Sequence, residues 1–410
     1  MSKVVVIGGG AAGLMAAGTA GKYNNDVVLI EKNNNLGEKL KITGKGKCNL
    51  TNITDINNFI DKVPTNGKFL YSAFYSFTNH QLINLINKLG VRTKVERGGR
   101  VFPVSNDSQD IINAFKKYMM KHNVKVITGE KVVEINTKHN KVSHVILEHG
   151  KNIDCESVII ATGGLSYPET GSTGDGFKFA KNMGHTVMKP HPALVPLELE
   201  ENWVKKTQNL TLKNISISIF KNGNLNSIVY TDFGELTFTD YGVKGPVILS
   251  ASSHLKNIKN NNYTLSIDLK PALSFKKLDH RIQRDFKKYS KKYFGNALDD
   301  LLPIKLIPII IELSTIPYQK PVHQITKEER TDLIKLLKNL TLNIKDTRPI
   351  KEAIITSGGI SINEIDPGTM ASKIISNLFF AGEIINVDGY TGGYNLQIAF
   401  STGYLAGIEA

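Results

Sequence analysis

Residues 3–32, KVVVIGGGAAGLMAAGTAGKYNNDVVLIEK, leave a chain few ways to fold. An apolar β-branched run is followed by Gly8-x-Gly10-x-x-Gly13, a small-residue stretch with helical character, and a second apolar run. That run ends in Glu31, 21 residues beyond Gly10. The pattern predicts a strand–turn–helix–strand unit and a doubly wound α/β sheet. Gly8 permits the tight turn, Gly10 lets backbone N–H groups approach a pyrophosphate, and Gly13 lets helix and strand touch. Ala11 and Ala12 open the helix, whose N-terminal partial positive charge faces the phosphates. Glu31 can accept hydrogen bonds from a ribose 2′-OH, where a 2′-phosphate would be repelled.

This motif alone does not separate NAD from FAD; the other end of the chain does. Residues 375–407, ISNLFFAGEIINVDGYTGGYNLQIAFSTGYLAG, read as a buried strand over Leu378–Ala381, then Gly382-Glu383, a Gly-rich turn and a helix starting near Tyr394. The stretch resembles the second flavin fingerprint of two-dinucleotide-binding-domain flavoproteins. In these the Gly-acid pair holds the ribityl chain, and the helix after Gly392-Gly393 points its N-terminus at the pyrimidine edge of the flavin. Reduced flavin is negative there, so that dipole favours the reduced form. The plainer alternative is a turn that only closes the fold.

Five blocks occur in order: KLKITGKGKCNLTN (39–52), GGRVFPVSNDS (98–108), ATGGLSYPETGSTGDGF (161–177), GVKGPVILS (242–250) and GEIINVDGYTGGYNLQIAFSTGYLAG (382–407). On these, nearly the whole chain resembles one flavoprotein family, which includes aminoacetone-oxidase-like enzymes, a flavoprotein linked to bile-acid reduction and a ribosomal RNA dihydrouridine synthase. The resemblance implies a Rossmann-like, glutathione-reductase-like FAD domain with an inserted β-rich plus helical domain covering the flavin. It implies non-covalent FAD held by the first motif, Lys32, Lys39, Gly44, Lys45, Cys48, Asn49, Val133, Ala161, Thr162 and Gly163. At the C-terminal end it adds Gly382, Glu383, Gly392, Gly393, Tyr394, Asn395 and Leu396. One departure is visible: Asp240 stands where the family's FTH block has histidine, and Lys244 replaces a small hydroxyl residue.

The loop GKGKCNLTN holds one of the chain's two cysteines. In the family it runs under the cofactor toward the flavin ring. Lys45 and Lys47 would then bring positive charge near the pyrophosphate or the substrate, and Asn49, Thr51 and Asn52 would brace the turn or bond the cofactor. Two readings of Cys48 stay open. Nearby lysines would lower its pKa and make it a proton donor, or it is a small residue packed beneath the ring. In the second case the donor is sought among Arg100, Tyr390 and Tyr394.

At 410 residues the chain needs two or three domains. Residues 1–190 and 350–410 are expected to form the FAD domain. That domain would contain a helical excursion near 66–120 and a hairpin-like stretch 124–164 with turns at KHNK and EHGK. A Pro-rich crossover, KPHPALVPLE (189–198), leads to a β-rich domain over 191–273 and a helical segment over 274–349 that returns to it. No signal peptide is expected from the first residues, and LLPIKLIPIII (301–311) is too short and broken to span a bilayer. With two cysteines and no disulfide framework, a cytoplasmic protein is expected.

The formal net charge is +14, which draws polyanions; Lys- and Asn-rich compositional drift explains it equally well. The clearest basic feature is KKLDHRIQRDFKKYSKKY (276–293), with Phe286, Tyr289 and Tyr293 among its cations. It reads either as a ribosomal RNA contact, with lysines on phosphates and aromatics on bases, or as a solvated helix face. P-loop, zinc and serine-hydrolase signatures are missing. With no second G-x-G-x-x-G, a nicotinamide reductant has no domain of its own and would visit the flavin transiently. The functional expectation is an FAD-dependent oxidoreductase. Three roles compete: NAD(P)H-driven reduction of an activated C=C such as uridine in 23S ribosomal RNA, oxidation of a small amine or amino-ketone by O₂, and non-catalytic flavin binding.

Overall fold

A computed structural model describes residues 3–23, 26–224, 227–256 and 258–410. The chain divides into two compact units, residues 1–193 with 349–410 and residues 194–348.

In the first unit five strands form an all-parallel sheet in the order Leu378–Phe380, Ser157–Ile160, Lys3–Ile7, Asp26–Glu31, Lys125–Thr128. The central strands are runs of Val, Ile and Leu buried along their length, as a sheet covered on both faces requires. Helix Ala11–Tyr23, rich in Ala and Gly, and the C-terminal helix Tyr394–Glu409 are both mostly buried. They approach through small residues. A Cβ at Gly403 would lie 2.4 Å from the Ala12 carbonyl oxygen, and one at Gly407 would lie 2.6 Å from that of Ala16. The first and last segments of the chain thus share one core.

Smaller sheets decorate this unit. Thr51–Asn52, Arg100–Pro103 and Thr93–Glu96 form one antiparallel group, and Val132–Lys138, Lys141–Leu147 and Asn152–Asp154 form another. The expected turns at KHNK and EHGK close the second group, with His139, Asn140 and Gly150 at positive φ. Other sequence expectations need correction. Residues 125–128 join the parallel sheet beside Asp26–Glu31 instead of the hairpins. The stretch 66–120 contains two strands as well as helices. The Pro-rich crossover is itself two strands, and the first, Val187–Ala193, pairs antiparallel with Ile355–Ile360.

The second unit is built on a closed six-stranded barrel. Its strands run in the order Leu197–Leu199, Gly242–Lys244, Ile228–Phe238, Thr211–Lys221, Tyr263–Asp268, Leu340–Thr347. The last of these lies inside the stretch expected to be helical. Its sequence, LTLNIKDT, buries Leu340, Leu342 and Ile344 alternately, the period-two signature of a half-buried strand. Helices Phe275–Lys288 and Lys327–Lys338 pack on this core through Leu278, Ile282, Phe286, Leu333, Ile334 and Leu337. A Thr326 capping box starts the second of them. Among the described residues, no helix is long and apolar enough to cross a membrane.

Candidate flavin site

The site follows from the parallel sheet. Ligands bind such sheets at the carboxyl ends of the strands, where the strand order reverses. Four sequence blocks reach that edge together: Glu31, which ends its strand, and Gly8–Gly13, Ala161–Gly163 and Gly382–Glu383, which follow theirs.

The three motif glycines do different things. Gly8 has φ of 105°, and a Cβ there would lie 2.6 Å from the Ala161 carbonyl oxygen. A Cβ on Gly13 would come within 1.8 Å of the Gly8 carbonyl oxygen, so helix and strand touch only because residue 13 is glycine. At Gly10 a Cβ would meet nothing within 4 Å. That open space lies over the first turn of Ala11–Tyr23, whose leading N–H groups have no partner within the helix. Glu31 is buried, and its two carboxylate oxygens accept from Gly9 N–H at 2.6 Å and Asn33 N–H at 2.8 Å. Its remaining lone pairs are free to take hydroxyl donors. The Thr162 hydroxyl is buried without a partner among the described residues. An unsatisfied polar group of this kind is uncommon in a finished core.

At the other end, Glu383 is a junction. One oxygen accepts from Thr356 N–H at 2.7 Å and the Ser166 hydroxyl at 2.8 Å; the other accepts from Lys39 Nζ at 2.6 Å. Lys32 is likewise tied to Asp175, at 2.7 Å. Val133 is exposed on its strand, while Glu130 N–H donates to the Glu31 carbonyl at 3.2 Å.

The loop GKGKCNLTN docks on the N-terminus of the C-terminal helix. With its oxygen and nitrogen assigned by their partners, the Asn49 amide accepts from Gly393 N–H at 3.0 Å and donates to the Thr51 carbonyl at 3.2 Å. The Thr51 hydroxyl donates to Gln397 at 2.7 Å, and the Thr54 hydroxyl meets Tyr394 Oη at 3.1 Å. Asn52 Nδ2 donates to both the Gly98 and the Gly392 carbonyls, at 2.9 and 3.0 Å. A Cβ on Gly393, where φ is 101°, would lie 2.4 Å from the Thr51 carbonyl. The closeness of the two segments explains that glycine. Asn395 secures the preceding turn by accepting from Gly389 N–H and donating to its carbonyl, and Leu396 sits half-buried in the first turn of the helix.

At Cys48 the structure favours the packed residue over the proton donor. Its side chain is fully buried, its φ is 56°, and burial pushes the thiol up to about 12, with the Thr43 hydroxyl pulling weakly the other way. Lys45 and Lys47 are exposed and do not lower it. The thiol belongs to the hydrophobic core. Of the other proton-donor candidates, Tyr394 is 7% exposed and Tyr390 half-buried; Arg100 is exposed. Gly44, at φ 58°, turns the chain where a Cβ would be 2.9 Å from Asn49 N. Sequence reading missed Asn79, whose buried amide donates to the Asn52 and Thr54 carbonyls, and Gln397, which donates to the Phe77 carbonyl and Ser401. Both are polar residues at buried positions of helices, a signal that composition hides. Asp240 and Lys244 are exposed in the barrel unit.

In the basic segment, Phe286 is buried, so it is not available to stack on a base. Tyr289 donates to Asp300 at 2.6 Å and lies under Lys288 and Lys292.

An open cradle over a helix N-terminus, a buried acid on the second strand, an unpaired buried hydroxyl and a second glycine-led helix N-terminus fit an FAD laid across the sheet edge. They define a Rossmann-like FAD-dependent oxidoreductase. The chain belongs to the HI0933-like protein Rossmann domain family, whose profile matches residues 2–409. It is 30% identical over 415 residues to a 3-dehydro-bile acid delta(4,6)-reductase of Clostridium scindens, covering 100% of this chain and 99% of that one. It is 28% identical over 411 residues to a ribosomal RNA dihydrouridine synthase of Haemophilus influenzae, covering 100% and 98%. Its fold is similar to that of a 3-ketosteroid delta1-dehydrogenase from Sterolibacterium denitrificans, with a TM-score of 0.52, 11% identity and coverage of 99% and 98%.

Proposed function

We propose that this chain uses FAD and NAD(P)H to reduce a carbon–carbon double bond conjugated to a carbonyl, with uridine in 23S ribosomal RNA as the substrate. The observation that carries the reading is the end-to-end similarity to two proteins named for reductions of this kind. A 3-oxo-4,6-diene and the C5=C6 bond of uracil have the same electronic problem: hydride goes to one carbon, a proton to the other, and the carbonyl carries the charge between. Between them, the net charge of +14 favours the polyanion.

The bound flavin would supply the hydride. Glu31 would hold the adenosine ribose, and Gly10 with the first helix N-terminus would hold the pyrophosphate. Glu383, fixed by Lys39, Ser166 and Thr356, would orient the ribityl side. The docked Asn49–Gly393 pair fixes the second helix N-terminus. A proton for the substrate would come from Tyr394 Oη, which lies 3.1 Å from a Thr54 hydroxyl that itself donates to Asn52 Oδ1.

Nucleoside mass spectrometry of 23S ribosomal RNA from wild-type and deletion strains tests the reading. A dihydrouridine lost on deletion, and restored by purified holoenzyme with NAD(P)H, is the expected result. Unchanged ribosomal RNA nucleosides, with peroxide released from a small amine, would replace it with the oxidase reading.

A further inference from the structure

Two loops beside the flavin motifs carry positive charge that the fold leaves unspent. Lys41 lies in the last turn of helix Glu38–Ile42, with Lys45 and Lys47 in the turn that follows; Arg97 lies in the second turn and Arg100 opens strand Arg100–Pro103; all five side chains are exposed. Among the described residues, none of the five forms an ion pair. Both loops rest on one ring. A Cβ at Gly44 would be 3.3 Å from Phe102 Cε1, and the Arg100 guanidinium lies 5.7 Å from the centre of that ring. Among the described residues, Arg100 spends only Nε internally, on the Arg97 carbonyl at 3.0 Å. The terminal nitrogens of its fork remain available.

The arginine turn is also fixed in place. The amide of Asn52 that holds the Gly98 carbonyl holds the Gly392 carbonyl too, so the turn is pinned to the loop that leads into the C-terminal helix. Gly99, at φ 72°, leaves room for Asn52, whose Oδ1 would lie 2.6 Å from a Cβ there. Ile42 and Ile53 are each 42% exposed beside these charges, and Ile53 N–H donates to the Gly99 carbonyl at 2.8 Å. Exposed aliphatic side chains among unpaired cations suit a partner with both phosphates and apolar faces.

We propose that the loops 41–47 and 97–100 grip the phosphates of the RNA substrate beside the flavin site; this rests on the reading that RNA is the substrate. An arginine fork and clustered lysines bind phosphate oxygens and gain by releasing counterions. Helix Phe275–Lys288 is the weaker candidate for this role. It pairs Arg281 with Asp285 at 2.6 Å and Lys288 with Asp300 at 2.7 Å, and it buries Phe286 in its own core. It also lies outside the unit that carries the flavin motifs.

The test is the salt dependence of holoenzyme binding to deproteinised 23S ribosomal RNA. Lys47→Gln with Arg97→Gln should lower the slope of log K against log salt by about 2, so the wild type loses about 16-fold more affinity than the variant between 50 and 200 mM salt. Lys287→Gln, in the last turn of the basic helix, with Lys291→Gln, in the turn after it, should leave the slope unchanged. A loop variant with wild-type slope and affinity overturns the assignment while the RNA reading stands. A loop variant that binds RNA normally but has a raised KM for NAD(P)H overturns it in favour of a reductant site. Wild-type protein with no salt-dependent RNA affinity overturns both the assignment and the substrate reading.

Discussion

Replacing Asn52 with aspartate changes one side-chain group and attacks the joint that holds the flavin-side loops together. Asn52 is 1% exposed. Its Oδ1 accepts from Thr54 N–H at 2.9 Å and the Thr54 hydroxyl at 2.7 Å, and both bonds survive when a carboxylate takes the place of the amide. On the other side, an oxygen would replace Nδ2 and face two carbonyl oxygens now 2.9 and 3.0 Å from the nitrogen. Two hydrogen bonds are lost at about 1–1.5 kcal/mol each, so the joint between the Gly98 turn and the Gly392 loop is loosened by about 2–3 kcal/mol. If all of that is felt in flavin binding, the FAD dissociation constant rises roughly 30- to 160-fold. The new carboxyl is buried beside acceptors, so its folded pKa rises above the unfolded value of about 3.9. Between those two values the folded variant binds more protons than the unfolded one, so its stability falls as pH rises through the window. Below it, the protonated acid can donate to one carbonyl and part of the loss is recovered. Flavin release followed by fluorescence, at about pH 7 and about pH 4.5 for wild type and Asn52→Asp, reads both effects. Wild-type FAD affinity in the variant at neutral pH would refute the reasoning.

Cys48 is expected to be a packing residue: native protein at pH 8 resists iodoacetamide at this site, and Cys48→Ala keeps turnover within a few-fold. A loss of about 10² in product formation with FAD still bound would restore it as the general acid. His185 is buried, its Nδ1 lies 3.2 Å from the Ala180 carbonyl and its Nε2 2.7 Å from the Ser372 hydroxyl. Burial lowers its pKa, although the Ala180 carbonyl opposes this. Between that lowered value and about 6.5 the unfolded chain binds the extra proton, so stability declines as pH drops below about 6.5. Urea unfolding should show this decline in wild type and a smaller one in His185→Gln, because burial lowers His122 as well; an imidazolium signal from His185 in native protein at pH 6 would contradict it.

Much of the flavin half was legible in the chain because its constraints are local. A glycine that must adopt positive φ or admit a neighbouring backbone can be seen in the sequence, as can an acid at a fixed distance along a strand–helix–strand unit. Gly8, Gly13, Glu31 and the helix at Tyr394 were read that way. The barrel strand Leu340–Thr347 was equally legible by its alternation, yet the helical character of the stretch before it hid the change of period. What the tertiary structure alone decided is which groups meet and which lose water. Asn52 became a joint because residues 98 and 392 arrive at the same amide. Cys48 has three lysines within seven residues of it in sequence, but its pKa answers to the core that encloses it. By sequence Phe286 could face a base or a core, and the fold sets Phe294 against its ring. Sequence spacing fixes which side chains are near along the chain; burial and pairing depend on segments far apart in sequence, and only the folded backbone brings those together.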